Sequence, residues 1–179
     1  MAFISSLLLE HVRTQYLTLH YEVCGFVLPT SSGEVSLEIK GQGDPATSRP
    51  NCILPHYTNY IWHTHIYGSK SYPSAEDILK VMKKRKRDYE QTKAELIFTP
   101  WGIWENSCRV FGYFSKSDID VIEKISAELY RKTEKGRIAV VDPLVVSSVM
   151  TKIMQVYPGL RIDFTPWSDT LNGYRCKTI

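Results

Sequence analysis

With 179 residues, 43% of them hydrophobic and 23% charged, the chain is long enough for one sizeable core, short for two, and too apolar for wholesale disorder. Its net charge of +3 is too mild to imply a nucleic-acid partner by itself. No stretch approaches the roughly 20 apolar residues of a membrane span, and the opening MAFISSLLLEHVRTQ lacks the basic lead-in and small-residue cleavage site of a signal peptide.

In chain order, Phe3, Leu7, Leu8, His11, Val12 and Leu17 recur at near-helical spacing and predict a helix over 3–20. YEVCGFVLP, ending at Pro29, is β-branched and aromatic and predicts a strand; TSSGE is a turn, and VSLEIKG alternates as a second strand should. The Gly- and Pro-rich run 41–51 predicts a loop, NYIWHTH a third strand, and IYGSKSYP a further loop. Ile78, Val81, Met82, Arg85 and Tyr89 then trace one face of a helix over 74–93. ELIFTPWGIWEN and CRVFGYFS predict two more strands or a hairpin. A helix over 117–136 follows, capped by Ser117 and stopped by Gly136, then one over 142–159 with Pro143 in its first turn, and LRIDFTPW as a last strand. FTPW occurs at 98–101 and again at 164–167, which points to two similar strand exits. The pattern is that of one α+β domain over 1–179, a central mixed sheet flanked by helices.

Four dispersed cysteines (Cys24, Cys52, Cys108, Cys176) form no CxxC pair, and a domain of this size does not need disulfides. The expectation is a soluble, intracellular, cytoplasmic protein with reduced thiols.

WHTHIYGSKSYPSAED, residues 62–77, carries the chemistry. On a strand, residues i and i+2 share a face about 6.5 Å apart, so His63 and His65 can converge on one ion. Ser74-Ala75-Glu76-Asp77 reads as a capping box, and a capped first turn also projects Asp77 back toward the histidine strand. Two histidines and an aspartate make a reasonable three-ligand set for zinc, the fourth position being left to water. Such a centre needs a general base that is not a ligand. Glu22, at the start of the strand containing CGFVL, is the best placed of the upstream acids, although composition alone favours an exposed strand residue there over a base.

Taken together, Glu22 with CGFVL, His63-Thr64-His65 and Pro73-Ser74-Ala75-Glu76-Asp77 resemble the JAMM family of zinc metallopeptidases, also called JAB or MPN-plus domains. The resemblance spans residues 5–115, with 116–179 completing the domain, and it implies a JAB/MPN-like fold. It implies one Zn²⁺ per chain on His63, His65 and Asp77, Glu22 as general base, and Ser74 as hydrogen-bond donor to the oxyanion. It further implies cleavage of ubiquitin or ubiquitin-like proteins from conjugates, and is compatible with an activating partner protein. Two features depart from the family pattern. Ile66 stands where a proline usually follows the second histidine, and the Ile66–Pro73 spacer is one residue longer than usual.

Other readings compete. A protein-interaction scaffold of the same fold is one alternative, although such members typically lack ligands and this chain keeps all three. The run Lys83-Lys84-Arg85-Lys86-Arg87, with Lys80, is another: it suits a nuclear-localisation or nucleic-acid patch, but the solvated face of a helix is the favoured reading. Trp62 and Trp104, with Ile66, lie close enough to the motif to flank a substrate groove, but ordinary packing is the favoured reading for each indole.

Overall fold

The runs VCGFVLP and VSLEIKG pair across a turn in which Gly33 adopts φ +84°, a conformation open to glycine and strained for other residues. They form β2 (Val23–Pro29) and β3 (Val35–Gln42) of a computed structural model. A short β1 (Phe3–Ile4) precedes them. The structure describes residues 1–44, 46, 51–54, 58–66, 71–82, 92–109, 116–131 and 143–179. Outside these lie residues 83–91 of the predicted 74–93 helix with the basic run 83–87, residues 110–115 of the CRVFGYFS segment, and the helix stop at Gly136; Thr92 and Lys93, at the predicted helix end, are not helical, Lys93 N–H donating to Asn59 O instead.

The β2–β3 ladder shifts register between Cys24 and Gly25. Gly25 is required there, because an added Cβ would sit 1.7 Å from the Glu38 carbonyl oxygen. β4 (Tyr60–Thr64) pairs antiparallel with β2, placing Cys24 opposite His63, and parallel with β5 (Ala94–Thr99). β6 (Gly102–Cys108) and β7 (Leu160–Pro166) complete a six-stranded mixed sheet among the described residues, in the order β3-β2-β4-β5-β6-β7. The predicted α+β class with a mixed central sheet is therefore present.

Helices α2 (Ala75–Met82), α3 (Lys116–Arg131) and α4 (Pro143–Val156) cover one face of the sheet, against Ile97, Trp104 and Ile162. The opposite face, with Trp62, Leu96, Phe98 and Ile103, packs on the N-terminal helix α1 (Ser6–His11), its π-helical continuation Val12–Tyr16, and the C-terminal tail. Each large side chain so buried contributes roughly 1.5–3 kcal/mol. None of the described helices is long and apolar enough to cross a membrane.

Three further element boundaries differ from expectation. Residues Phe3–Ile4 are not helical: they pair with β8 (Tyr174–Arg175), a partner that only the folded chain brings near. Ser5 then caps α1, its Oγ accepting from Leu8 N–H at 3.3 Å. ELIFTPWGIWEN is not one strand but a hairpin, because Pro100 has no amide to continue a ladder. The Thr99 hydroxyl closes the turn, donating to Gly102 O and accepting from Trp101 N–H and Gly102 N–H. Ser117 lies inside α3, which begins at Lys116, and so is not its cap.

The two FTPW runs do mark similar exits, from β5 and from β7, and they meet. Trp167 Nε1–H donates to Thr99 O at 2.9 Å, and Trp167 N–H to Trp101 O at 3.4 Å. The tail beyond β8 is anchored by the buried Glu105 carboxylate, which accepts from Tyr174 Oη–H at 2.6 Å and from the backbone N–H groups of Lys177 and Thr178. Burial, with the Glu105 charge next to it, raises the Tyr174 phenol well above its usual range.

Candidate metal centre

Strand periodicity puts His63 and His65 on one face of the sheet, while Thr64 turns to the other. Thr64 Oγ accepts from Val23 N–H at 2.9 Å and donates to Val23 O, tying the end of β4 to the start of β2. His65 lies one residue past the strand, held by its N–H to Phe98 O at 2.8 Å. The β2–β4 register, extended two steps beyond the Cys24–His63 pair, puts Glu22 beside His65.

Ser74 and Asp77 form the reciprocal cap read from the sequence, with aspartate in the acidic place. Asp77 N–H donates to Ser74 Oγ at 3.1 Å, and Ser74 N–H donates to Asp77 Oδ2 at 2.8 Å. The cap aims the carboxylate at the histidines. His63 Nε2 is 3.5 Å from Asp77 Oδ1, His65 Nε2 is 3.3 Å from Oδ2, and the two Nε2 atoms are 3.0 Å apart. A tetrahedral ion with bonds of about 2.0–2.1 Å spaces its donors about 3.4 Å from one another. The three side chains are buried, and their donor atoms lie within 4.8 Å of one another, so this group can hold a metal ion.

Beneath the donors lies an ionic layer that sequence reasoning missed. Glu95, fully buried in β5, has Oε1 3.0 Å from His63 Nδ1 and 3.2 Å from Lys80 Nζ, and Lys80 Nζ donates to Asp77 Oδ1 at 2.9 Å. The signal was available: a lone glutamate in AELIFT is an anomaly in a strand that is otherwise apolar, and buried charges are found paired. Electrostatics follow from this packing. Burial opposes charge on Asp77, yet His63 and Lys80 beside it hold its carboxyl well below the usual carboxylate range. Burial likewise works against protonated His63, but Asp77, with help from Glu95, outweighs it and raises the imidazole. Lys80 is raised in the same way by Glu95 and Asp77, so it stays charged despite its burial.

The donors open into a cavity of about 750 Å³ lined also by Glu22, Ser74, Tyr72 and the segment 51–54. Here the cysteine expectation is overturned. Cys24 and Cys52 form a disulfide, while Cys108 and Cys176 are free and buried. The segment 51–54 crosses beside the β2 bulge and brings the two Cα atoms to 5.9 Å, a proximity that a sequence separation of 28 does not advertise.

The three expected groove residues are all buried, and of them Trp62 also lines the cavity. Trp62 is fully buried, stacked on Tyr16, with Nε1–H donating to Glu38 O at 3.3 Å. Trp104 is 2% exposed, and its Nε1–H holds the Ser71 carbonyl at 2.8 Å, anchoring the chain shortly before Ser74. Ile66 is 8% exposed.

Comparison of the chain with protein-family models, with curated proteins and with solved structures returns no match. What the site can do is therefore argued from its geometry.

Proposed function

We propose that this chain is a zinc-dependent peptidase or isopeptidase of the JAMM type, acting on ubiquitin or ubiquitin-like conjugates through a JAB/MPN-like domain. One observation carries the reading. His63, His65 and Asp77 converge, with one ligand atom from each within 4.8 Å of the others, and the buried Glu22, which is not among the three donors, lines the same cavity. Imidazole and carboxylate donors in this ratio suit Zn²⁺.

Bound zinc would lower the pKa of a coordinated water toward about 7 and polarise a carbonyl. Glu22 would take the proton of the attacking water and return it to the departing amine. Its carboxylate is held by Cys52 N–H, donating to Oε2 at 3.1 Å, so Oε1 would be the oxygen that accepts the water proton. Ser74 Oγ accepts from Asp77 N–H, so its own hydrogen remains to donate to a developing oxyanion. An extended substrate tail would lie along the wall formed by 51–54, where Ile53 is 82% exposed.

The test is a panel of ubiquitin chains and ubiquitin-like fusions, incubated with wild-type protein with and without a chelator, alongside metal analysis. Stoichiometric zinc and chelator-sensitive cleavage support the reading. A protein that binds no zinc, or cleaves nothing in the panel when loaded, overturns it.

A further inference from the structure

Glu95 and Lys80 have no place in the scheme above, yet they close a ring around two of the donors. His63 Nδ1 faces Glu95 Oε1 at 3.0 Å, Glu95 Oε1 faces Lys80 Nζ at 3.2 Å, Lys80 Nζ reaches Asp77 Oδ1 at 2.9 Å, and Asp77 Oδ1 returns to His63 Nε2 at 3.5 Å. Stability is a poor reason for such a layer. Taking a carboxylate and an ammonium out of water costs several kcal/mol each, and a well-packed apolar pair would serve as well or better. Its position beneath the site is the informative fact.

The chemistry at His63 supplies the reason. An imidazole that offers Nε2 to a metal must carry its proton on Nδ1, and an acceptor at Nδ1 fixes both that tautomer and the ring plane. Glu95 is the acceptor in reach. The present approach is oblique: His63 Nδ1 is close to Oε1 without pointing at it, and both Nδ1 and Glu95 Oε2 are buried without an aligned hydrogen-bond partner. Two complementary unsatisfied groups thus sit on adjacent side chains. Lys80 balances the second carboxylate and fixes Asp77 from its outer side.

We propose that Glu95 and Lys80 are positioning residues for the metal ligands: Glu95 selects the Nδ1–H tautomer of His63, and Lys80 compensates Glu95 while orienting Asp77. The proposal rests on the metalloenzyme reading, and its test separates the two. Zinc affinity is measured by competition with a chromophoric chelator in wild type, in Glu95→Gln, and in the charge-neutral pair Lys80→Met/Glu95→Gln. The ring ¹⁵N shifts of His63 are recorded for each.

Wild type that fails to bind zinc overturns the metal reading itself. With wild type binding, Glu95→Gln should weaken zinc by about 10- to 100-fold and shift His63 away from a pure Nδ1–H tautomer. If Glu95→Gln alone does not fold, the double variant removes both buried charges and carries the same readouts. It should melt near the wild-type temperature while keeping the weakened affinity. Wild-type affinity and an unchanged His63 tautomer in whichever variant folds would overturn the positioning role.

Discussion

Cys52 donates its backbone N–H to the carboxylate of Glu22 at 3.1 Å, and the same residue is covalently joined to Cys24, two positions along the chain from that glutamate. The disulfide therefore ties the proposed general base to the wall of its own cavity. Reduction, or Cys52→Ser, should leave zinc stoichiometry unchanged and lower cleavage by up to about 100-fold, because a base displaced by an ångström loses its alignment. Loop-closure entropy adds a stability loss of about 3–4 kcal/mol. Urea unfolding and a cleavage assay, each with and without reductant, measure the two effects. Unaltered activity in the reduced protein would detach Glu22 from the disulfide.

Ligand and base variants should separate cleanly. His63→Ala/His65→Ala removes two of three donors and is expected to abolish stoichiometric zinc together with cleavage. Glu22→Ala should keep the metal and lose about 10²- to 10⁴-fold in kcat, the usual contribution of a positioned base. A Glu22→Ala protein that cleaves a ubiquitin-like conjugate as fast as wild type would show that another group takes the proton.

Ser74 serves two purposes with one oxygen, and its loss should be felt twice. Ser74→Ala deletes the acceptor for Asp77 N–H, costing about 0.5–2 kcal/mol of stability. It also deletes the proposed oxyanion donor, worth about 10²- to 10³-fold in kcat. Thermal melts and steady-state kinetics on the same preparation distinguish them; a variant that melts lower but turns over normally would leave only the cap.

pH should act with opposite sign on the metal-free and the metal-loaded protein. The folded pKa of His63 lies above its ordinary value of 6.5, so its contribution is complete below that value and is lost as pH rises through the raised pKa. Asp77, held well below the carboxylate range, stabilises throughout and weakens only in strong acid. As pH rises above 6.5 the chelated protein should therefore melt progressively lower. The zinc-loaded protein should gain over the same range, since ligation needs neutral imidazole. Parallel melts in chelator and in zinc would reveal the crossing, and two curves of the same slope would contradict it.

The residues of the candidate site were legible where their geometry is local. HxH shares a face because the strand period is two, and Ser-x-x-Asp caps because N-cap and N3 groups meet within one turn. Their element types followed from the same periodicities, apart from ends such as Phe3–Ile4 and the Pro100 turn, where a distant partner or a missing amide decided the matter.

By itself, then, the amino-acid order determined the α+β alternation, the two histidines on one face and the capped aspartate. Tertiary structure alone decided what surrounds them: the Cys24–Cys52 bond beside Glu22, the Glu95–Lys80 layer under the donors, and the Thr64 tie to Val23. Each of these pairs residues 15 to 41 positions apart on separate segments. No period links such residues along the chain. They become neighbours only when the register of β2, β4 and β5 is set, and that register is chosen by burial on both faces of the sheet.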